Sequence, residues 1–369
     1  MTEKTRLVLV TSHVFGIRAY EGMFSSGAYL DGLIDVPLMI GLPPERASAT
    51  VGYESVSGLA RDQGIDFVLA DDGTLSSLET SIKNCRPHYI LVVGWSRLIS
   101  SDVLAIPKIV HSADATEVGR HGCIGMHPTK LPTGRGQAPI PWTIIKGLRS
   151  TALTVFFLEP EADTGPIIAQ YDLPVHERES SASLFYRMAS MHFDAGMELA
   201  GHLACRQVES RVQVSDQATR WPKRRPSDGK IDHSMHYAEI KGLVRGLLGP
   251  YPRAFVSIGG REYAVEDARL VEDSCDVEGT TREDVSTDVI RFGCRDGIVN
   301  LKRYRHDDDR LDTLEPVLHD GGELVHAGHG EVAQLDGRSV WPASSSKHAH
   351  LQVESLEDLP ARLKERTGG

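Results

Sequence analysis

The chain has 369 residues, 40% hydrophobic and 25% charged, an ordinary globular composition long enough for about two domains. Its formal net charge of −11 argues against nucleic acid as the main partner, since phosphate binding normally needs a basic face. No apolar run reaches the ~18 residues of a membrane span, and the opening MTEKTRLVLVTS lacks the apolar centre of a signal peptide.

In chain order, Arg6 to Ser12 is an apolar, β-branched run that reads as a buried parallel strand. IDVPLMIGL and GIDFVLAD read as a second and a third strand. The stretch from Glu79 gives a helix, a break at Pro87 and a strand over Tyr89 to Val93. KIVHSA and GCIGMH are shorter extended runs. Strands alternating with helical stretches predict an α/β sheet with helices on both faces. No G-x-G-x-x-G follows the first strand, which argues against a dinucleotide fold. PIPWTIIKGL predicts a helix, TALTVFFLE a strand, and EPEADTGPIIAQYDLPV a loop returning into another. The Ser-led stretch Ser181 to Ala204 carries apolar residues at helical spacing and predicts a long amphipathic helix.

Around Gln207 to Asp232 the chain turns polar, Pro-containing and basic, the texture of a linker. A helix over YAEIKGLVRGLL then precedes short runs separated by Gly-containing turns, which predict a small antiparallel, barrel-like β domain. The expected division is 1–206, a linker 207–232, a β domain 233–305 and an irregular acidic and polar appendage 306–369. Within that appendage His319, His326, His329, Asp320 and Glu331 match no tight zinc spacing, so no metal is expected. The five cysteines (Cys85, Cys123, Cys205, Cys275 and Cys294) are odd in number, far apart and without a C-x-x-C. Free thiols in a reducing cytoplasm are therefore expected.

The mid-chain stretch GMHPTKLPTGRGQAPIPW fits neither a helical nor a strand period. Proline fixes its path and glycine bends it, just before a helix start that can offer N–H donors to an anion. His127 follows one short strand and Asp163 follows the next long one. In a parallel or mixed sheet, strand ends on one edge would bring them together as an imidazole oriented by a carboxylate, a general-base arrangement. An ordinary capping histidine and turn aspartate remain the alternative.

Those residues resemble the H-x-S-L-L-P-x-x-x-G motif of the formyltetrahydrofolate-dependent formyltransferases, which act on methionyl-tRNA, glycinamide ribonucleotide or amino sugars. FFLEPEADTGPIIAQ is similar to the family's second block, with its aspartate in D-[AT]-G, and LVVGWSRLI to its folate-pocket strand. The likeness spans about Arg6 to Tyr304. It implies a Rossmann-like catalytic domain followed by a small OB-like β domain, and transfer of a formyl group from 10-formyltetrahydrofolate to an amine. By the same resemblance His127 is the base and Asp163 its partner. Arg97, Leu98, Ile99, Leu158, Glu159 and Ala162 surround the pterin. His13, Gly16 and Arg135 approach the acceptor.

One departure stands out. The family places an asparagine two residues before the histidine, where its amide donates to the formyl oxygen; here the residue is Gly125. Loss of such a donor typically costs ~10²–10³ in rate. Protonated His127, a backbone N–H at Gly125 or the Thr129 hydroxyl are the replacements open to the chain, and a folate- or nucleotide-binding relative without activity is the alternative. The wording of the loop is closest to sugar-type members, so the favoured acceptor is a nucleotide-linked amino sugar or nonulosonate precursor. Initiator methionyl-tRNA, for which the basic run Arg220 to Arg225 is the one attraction, and an amine such as hydroxyornithine are the other classes. The oligomeric state stays open, a homodimer included.

Overall fold

The computed structural model describes residues 3–111, 121–206, 208–272 and 288–304, together with the backbone of four short strands between 317 and 339. Two compact units are present, Met1–Asp307 and Asp308–Gly369. The first unit opens with β1 (Thr5–Val10), α1 (Val14–Phe24), the single turn α2 (Gly27–Leu30) and β2 (Ile34–Gly41). It continues through α3 (Val56–Gln63), β3 (Phe67–Leu69), α4 (Glu79–Asn84), β4 (Tyr89–Val93), α5 (Ser101–Val110) and β5 (Gly122–His127). A two-residue strand β6 (Arg135–Gly136) and α6 (Pro139–Ile145) lead to β7 (Ser150–Phe157), β8 (Ile167–Pro174) and the long α7 (Ser181–Ala204).

One seven-stranded sheet is built in the order β3-β2-β1-β4-β5-β7-β8. Strands β1 to β5 pair in parallel, whereas β7 and β8 run antiparallel to their neighbours. Val8, Val10, Ile40, Ile90 and Val92 are buried under Ile82 of α4 and Val103 and Ile106 of α5. On the other face the buried Tyr20 of α1 accepts from the Val10 N–H at 3.1 Å and donates to the Leu91 carbonyl at 2.7 Å. The predicted α/β layering is therefore present, because runs buried on both sides need helices above and below.

Local chemistry sets the helix ends. Ser55, Ser100 and Ser180 cap α3, α5 and α7 with their hydroxyls, and Gly64 closes α3 in the left-handed conformation. The expectation of an extended run at Lys108 is corrected here: Lys108 to Val110 complete α5. Pro107 removes the N–H that would have met the Val103 carbonyl, yet the helix continues. The buried Cys123 thiol lies 4.0 Å from that freed carbonyl and 3.7 Å from that of Leu104, a weak donor to either.

After α7 the chain forms β9 (Arg220–Trp221), α8 (Tyr237–Gly246), β10 (Phe255–Ile258), β11 (Arg261–Glu272), β12 (Val289–Cys294) and β13 (Gly297–Arg303). The last four make an antiparallel sheet in the order β10-β11-β13-β12, with its own buried cluster around Val256, Val265, Phe292 and Val299. Between the two domains the chain is not a free connector. It pairs β9 with β6 in parallel and bridges Arg211 to Ile167 at the start of β8. Among the described backbone of the second unit are two short antiparallel hairpins, Val317–Asp320 with Glu323–His326 and Gln334–Leu335 with Arg338–Ser339. The side chains of His319, Asp320 and His326, and all of His329 and Glu331, lie outside the described residues, as does Cys275. The other four cysteines are free thiols.

Candidate active site

His127 ends β5 and is 8% exposed. Its Nε2 lies 2.9 Å from the Gly134 carbonyl oxygen. A carbonyl can only accept, so this contact keeps the proton on Nε2 and leaves the Nδ1 lone pair open. Nδ1 lies 3.8 Å from Asp163 Oδ1. That is too long for a hydrogen bond, and it sets the carboxylate beside the open nitrogen. The expected His–Asp proximity is present, while the group that orients the neutral imidazole is a backbone carbonyl, which side-chain spacing did not reveal.

The route by which Asp163 arrives also differs from a shared strand edge. Because β7 is antiparallel to β5, Phe157 lies opposite Ile124 and Thr154 opposite His127. The loop 158–166 must therefore fold back along the sheet to reach His127. Asp163 makes the return in a left-handed conformation, φ 61°, which Asp tolerates better than most residues. Its Oδ2 accepts from the Gly136 N–H at 2.8 Å, and its carbonyl accepts from Gln213 Nε2 at 2.9 Å.

The proline- and glycine-rich loop is held from several sides. Thr154 donates to the Thr129 carbonyl at 2.6 Å and accepts from the Leu131 N–H at 3.3 Å, and Gln170 Nε2 donates to the Leu131 carbonyl at 2.7 Å. Thr219 Oγ1 accepts from the Gly134 N–H at 2.9 Å. Gly136 has φ 109°, and a Cβ there would stand 2.3 Å from the Trp221 carbonyl oxygen, so only glycine allows the β6–β9 pairing. The sequence singled out none of Thr154, Gln170, Gln213 and Thr219. Their partners are backbone atoms of distant segments, a pattern without a local signature.

Gly125 sits in mid-strand with Val92 and Phe156 as ladder partners. A Cβ on it would be 2.7 Å from Leu158 Cδ2, so Leu158 covers the place where a longer side chain would extend. Thr129 is 1% exposed and donates to the Gly134 carbonyl at 3.3 Å, which commits its hydroxyl elsewhere. Arg135 directs Nε and Nη2 to Gln213 Oε1 at 3.2 and 2.8 Å.

His13 caps α1, its Nδ1 accepting from the Phe15 N–H at 3.0 Å, and burial lowers its pKa to about 3. Gly16 is buried where a Cβ would meet Thr11 Oγ1 and the Val93 carbonyl, so it serves close packing. Leu98 is 78% exposed, whereas Ile99 packs on the core beneath the sheet. Glu159 is exposed and Ala162 half-buried. Arg97 lines a cavity of about 750 Å³ together with Leu42, Pro43, Arg46, Asp71 and Lys223. This cavity opens at the carboxyl ends of β2, β3 and β4, where open α/β sheets bind ligands, and its lining does not include His127 or Asp163. Among the described residues no group of three or more His, Cys, Asp and Glu could hold a metal ion, and no helix is long and apolar enough to cross a membrane. In the basic run Arg220 pairs with Glu161 at 3.2 Å, Trp221 is buried and Arg224 lies 4.9 Å from the Trp142 ring centre, while Arg220, Lys223 and Arg225 are solvent-exposed.

Residues 70–197 match the formyl transferase family and residues 223–315 its C-terminal domain, with 198–222 between them. A methionyl-tRNA formyltransferase of Agathobacter rectalis is 26% identical over 276 residues, covering 74% of this chain and 83% of the relative. The structure of an N-formyltransferase from Helicobacter canadensis, in complex with folinic acid and dTDP-3-aminofucose, superposes with a TM-score of 0.58 at 14% identity. It covers 82% of this chain and 100% of that one. The sugar 3N-formyltransferase WlaRD, solved with dTDP and 5-N-formyl-tetrahydrofolate, gives a TM-score of 0.56 at 12% identity over 82% and 99% of the two chains. At these identities the structural likeness speaks for the fold alone.

Proposed function

This chain belongs to the formyl transferase family and is a formyl-transferring enzyme, and from that premise we propose that it moves the formyl group of 10-formyltetrahydrofolate to the primary amine of a nucleotide-linked amino sugar, with His127 as base. The observation that carries this reading is the shielded His127–Asp163 pair, with Nδ1 open and 3.8 Å from the carboxylate.

The neutral amine attacks the formyl carbon and forms a tetrahedral oxyanion. Its excess proton passes to His127 Nδ1, where the imidazolium lies against Asp163. The C–N10 bond then breaks as N10 takes that proton back from His127, and the products are the formamide, tetrahydrofolate and neutral His127. The side chains of His127 and Asp163 are 10% and 16% exposed, and shielding from water strengthens their attraction in the charged state. Of the oxyanion donors the sequence left open, Thr129 is spent on Gly134 and the Gly125 peptide lies inside the sheet ladders. His127 Nε2–H is likewise spent on Gly134, so the Nδ1–H that His127 gains with the amine's proton, not hydrogen-bonded to Asp163 at 3.8 Å, is the donor we assign.

We assign folate to the cavity beside Arg97, whose neighbours Arg46 and Lys223 suit the carboxylates of its glutamate tail. Leu98, Leu158 and the backbone from Glu159 to Ala162 are the apolar wall and polar edge for the pterin. Arg135 faces the acceptor side only indirectly, through Gln213, and His13 and Gly16 shape that side rather than bond the ligand. The sugar reading is favoured by neighbours that bind dTDP or a dTDP-linked amino sugar. A tRNA acceptor draws on the sequence relatives and on the exposed Arg220, Lys223 and Arg225 of the basic run, against a formal net charge of −11. The test is incubation with 10-formyltetrahydrofolate and, separately, a dTDP- or UDP-linked amino sugar, initiator methionyl-tRNA and hydroxyornithine, with the product read by mass spectrometry. A gain of one formyl group on the nucleotide sugar alone is expected; formylation of tRNA alone would replace the acceptor.

A further inference from the structure

The segment between the two matched stretches looks like a linker in sequence and behaves otherwise in the fold. Between Arg211 and Pro222 it meets the loops around His127 and Asp163 at Arg211, Gln213, Thr219, Trp221 and Pro222, while Val214 to Gln217 face solvent. Arg211 and Ile167 exchange backbone hydrogen bonds at 2.7 and 2.8 Å. Gln213, 5% exposed, donates from Nε2 to the carbonyls of Asp163 and Gly165 at 2.9 and 2.8 Å, and its Oε1 accepts from Arg135. Thr219 accepts from the Gly134 N–H through its hydroxyl and from the Arg135 N–H through its carbonyl, at 2.9 Å each. The Trp221 carbonyl accepts from the Gln137 N–H at 3.2 Å, and the Pro222 carbonyl accepts from Trp142 Nε1 at 2.9 Å.

Two of these contacts fall on the residues that fix the catalytic pair. Gly134 supplies the carbonyl that sets the His127 tautomer, and Thr219 holds Gly134. Asp163 is in a left-handed conformation, φ 61°, and Gln213 grips its carbonyl. Both amide hydrogens of Gln213 meet carbonyls and its oxygen meets a guanidinium, so the amide cannot turn over without losing its bonds. We propose that this strap is part of the active site, with Gln213 the positioning residue for Asp163 and Thr219 that for the Gly134–His127 contact. The assignment rests on the reading of His127 and Asp163 as the catalytic pair.

The test is steady-state kinetics of Gln213→Ala, Gln213→Glu and Thr219→Val, alone and each with Asp163→Asn. Gln213→Glu keeps an acceptor for Arg135 but turns a carboxylate oxygen toward the Asp163 and Gly165 carbonyls, so it removes only the anchor. Misplacing a reacting group by about 1 Å can cost ~10²-fold. The expected result for both Gln213 variants is therefore a kcat lowered ~10-fold or more, with KM for folate within about two-fold, and little further loss when combined with Asp163→Asn. Thr219→Val should lower kcat and shift its pH profile. Wild-type kcat in Gln213→Glu, or an equal loss with and without Asp163→Asn, would overturn the strap's role alone. Wild-type kcat in Asp163→Asn would overturn the catalytic pair, and this assignment with it. A melting temperature of Gln213→Glu close to wild type separates positioning from unfolding.

Discussion

At Gly125 a single missing side chain decides what lies two positions before His127 on β5. Leu158 covers the space an asparagine would enter, and the obstructing atom is the tip of a flexible side chain rather than backbone. Gly125→Asn should therefore fold, at a cost of ~1–3 kcal/mol for overpacking, read as a lowered urea midpoint. Adding Leu158→Ala should restore most of that midpoint; no recovery would mean that Leu158 is not what the new side chain meets. The residues of the site were legible to different degrees. His127 and Asp163 stood out because their motif concentrates proline, glycine and titratable groups in short stretches. The occupant of the Gly125 slot did not, since nothing in a linear string says which neighbour fills a gap. Nor did the Gly134 carbonyl, because backbone atoms carry no sequence signal.

Among the elements, the pairing of α1 with α7 carries the tightest constraint. A Cβ on Gly22 would lie 1.9 Å from the Phe193 carbonyl oxygen, and one on Gly196 would lie 1.9 Å from that of Ala19. The two helices thus approach backbone to backbone, each glycine admitting the other helix. Gly196→Ala should destabilise by ~3 kcal/mol, the upper end for overpacking, because backbone cannot swing aside as a side chain does. Gly201 lies on the same helix with nothing within 4 Å. Gly201→Ala should stabilise by ~0.5–1 kcal/mol through helix propensity. Paired urea titrations check both signs, and equal effects would contradict this packing. The strands β1, β2, β4 and β5 and the helix α7 could be read from periodicity, since burial on two faces or on one stripe writes itself into residue order. Two features could not: the continuation of α5 past Pro107, against the local preference of proline, and the antiparallel return of β7, whose direction depends on the loop before it.

On the scale of the whole molecule, buried histidines tie stability to pH. His192 of α7 is 1% exposed, stacks on Phe15 at 4.5 Å, and has its pKa lowered to about 4 by burial; that of His13 falls to about 3 for the same cause. In the unfolded chain each titrates near ~6.5. The unfolded state therefore binds more protons below ~6.5, and folding stability, complete above that value, falls as pH drops toward 4. The urea midpoint should decrease between pH 7 and pH 5, and His192→Phe, which keeps the stacked ring, should flatten part of that slope; an unchanged slope would remove His192 as a contributor. The α/β sheet with its antiparallel β domain was legible as a whole, because element alternation and motif order both point to it. The strap was not. Its polar, Pro-containing texture is that of a linker, and its role appears only when Gln213 and Thr219 meet loops some 50 to 85 positions away in sequence. The central claim is that His127 takes the amine's proton. It is tested most directly by single-turnover formyl transfer from 10-formyltetrahydrofolate in wild type and His127→Asn, with folate binding measured on both proteins. Unchanged folate binding and a rate lowered ~10²–10⁴-fold, the usual contribution of a general base, are expected; near-wild-type transfer by His127→Asn would mean that another group takes the proton.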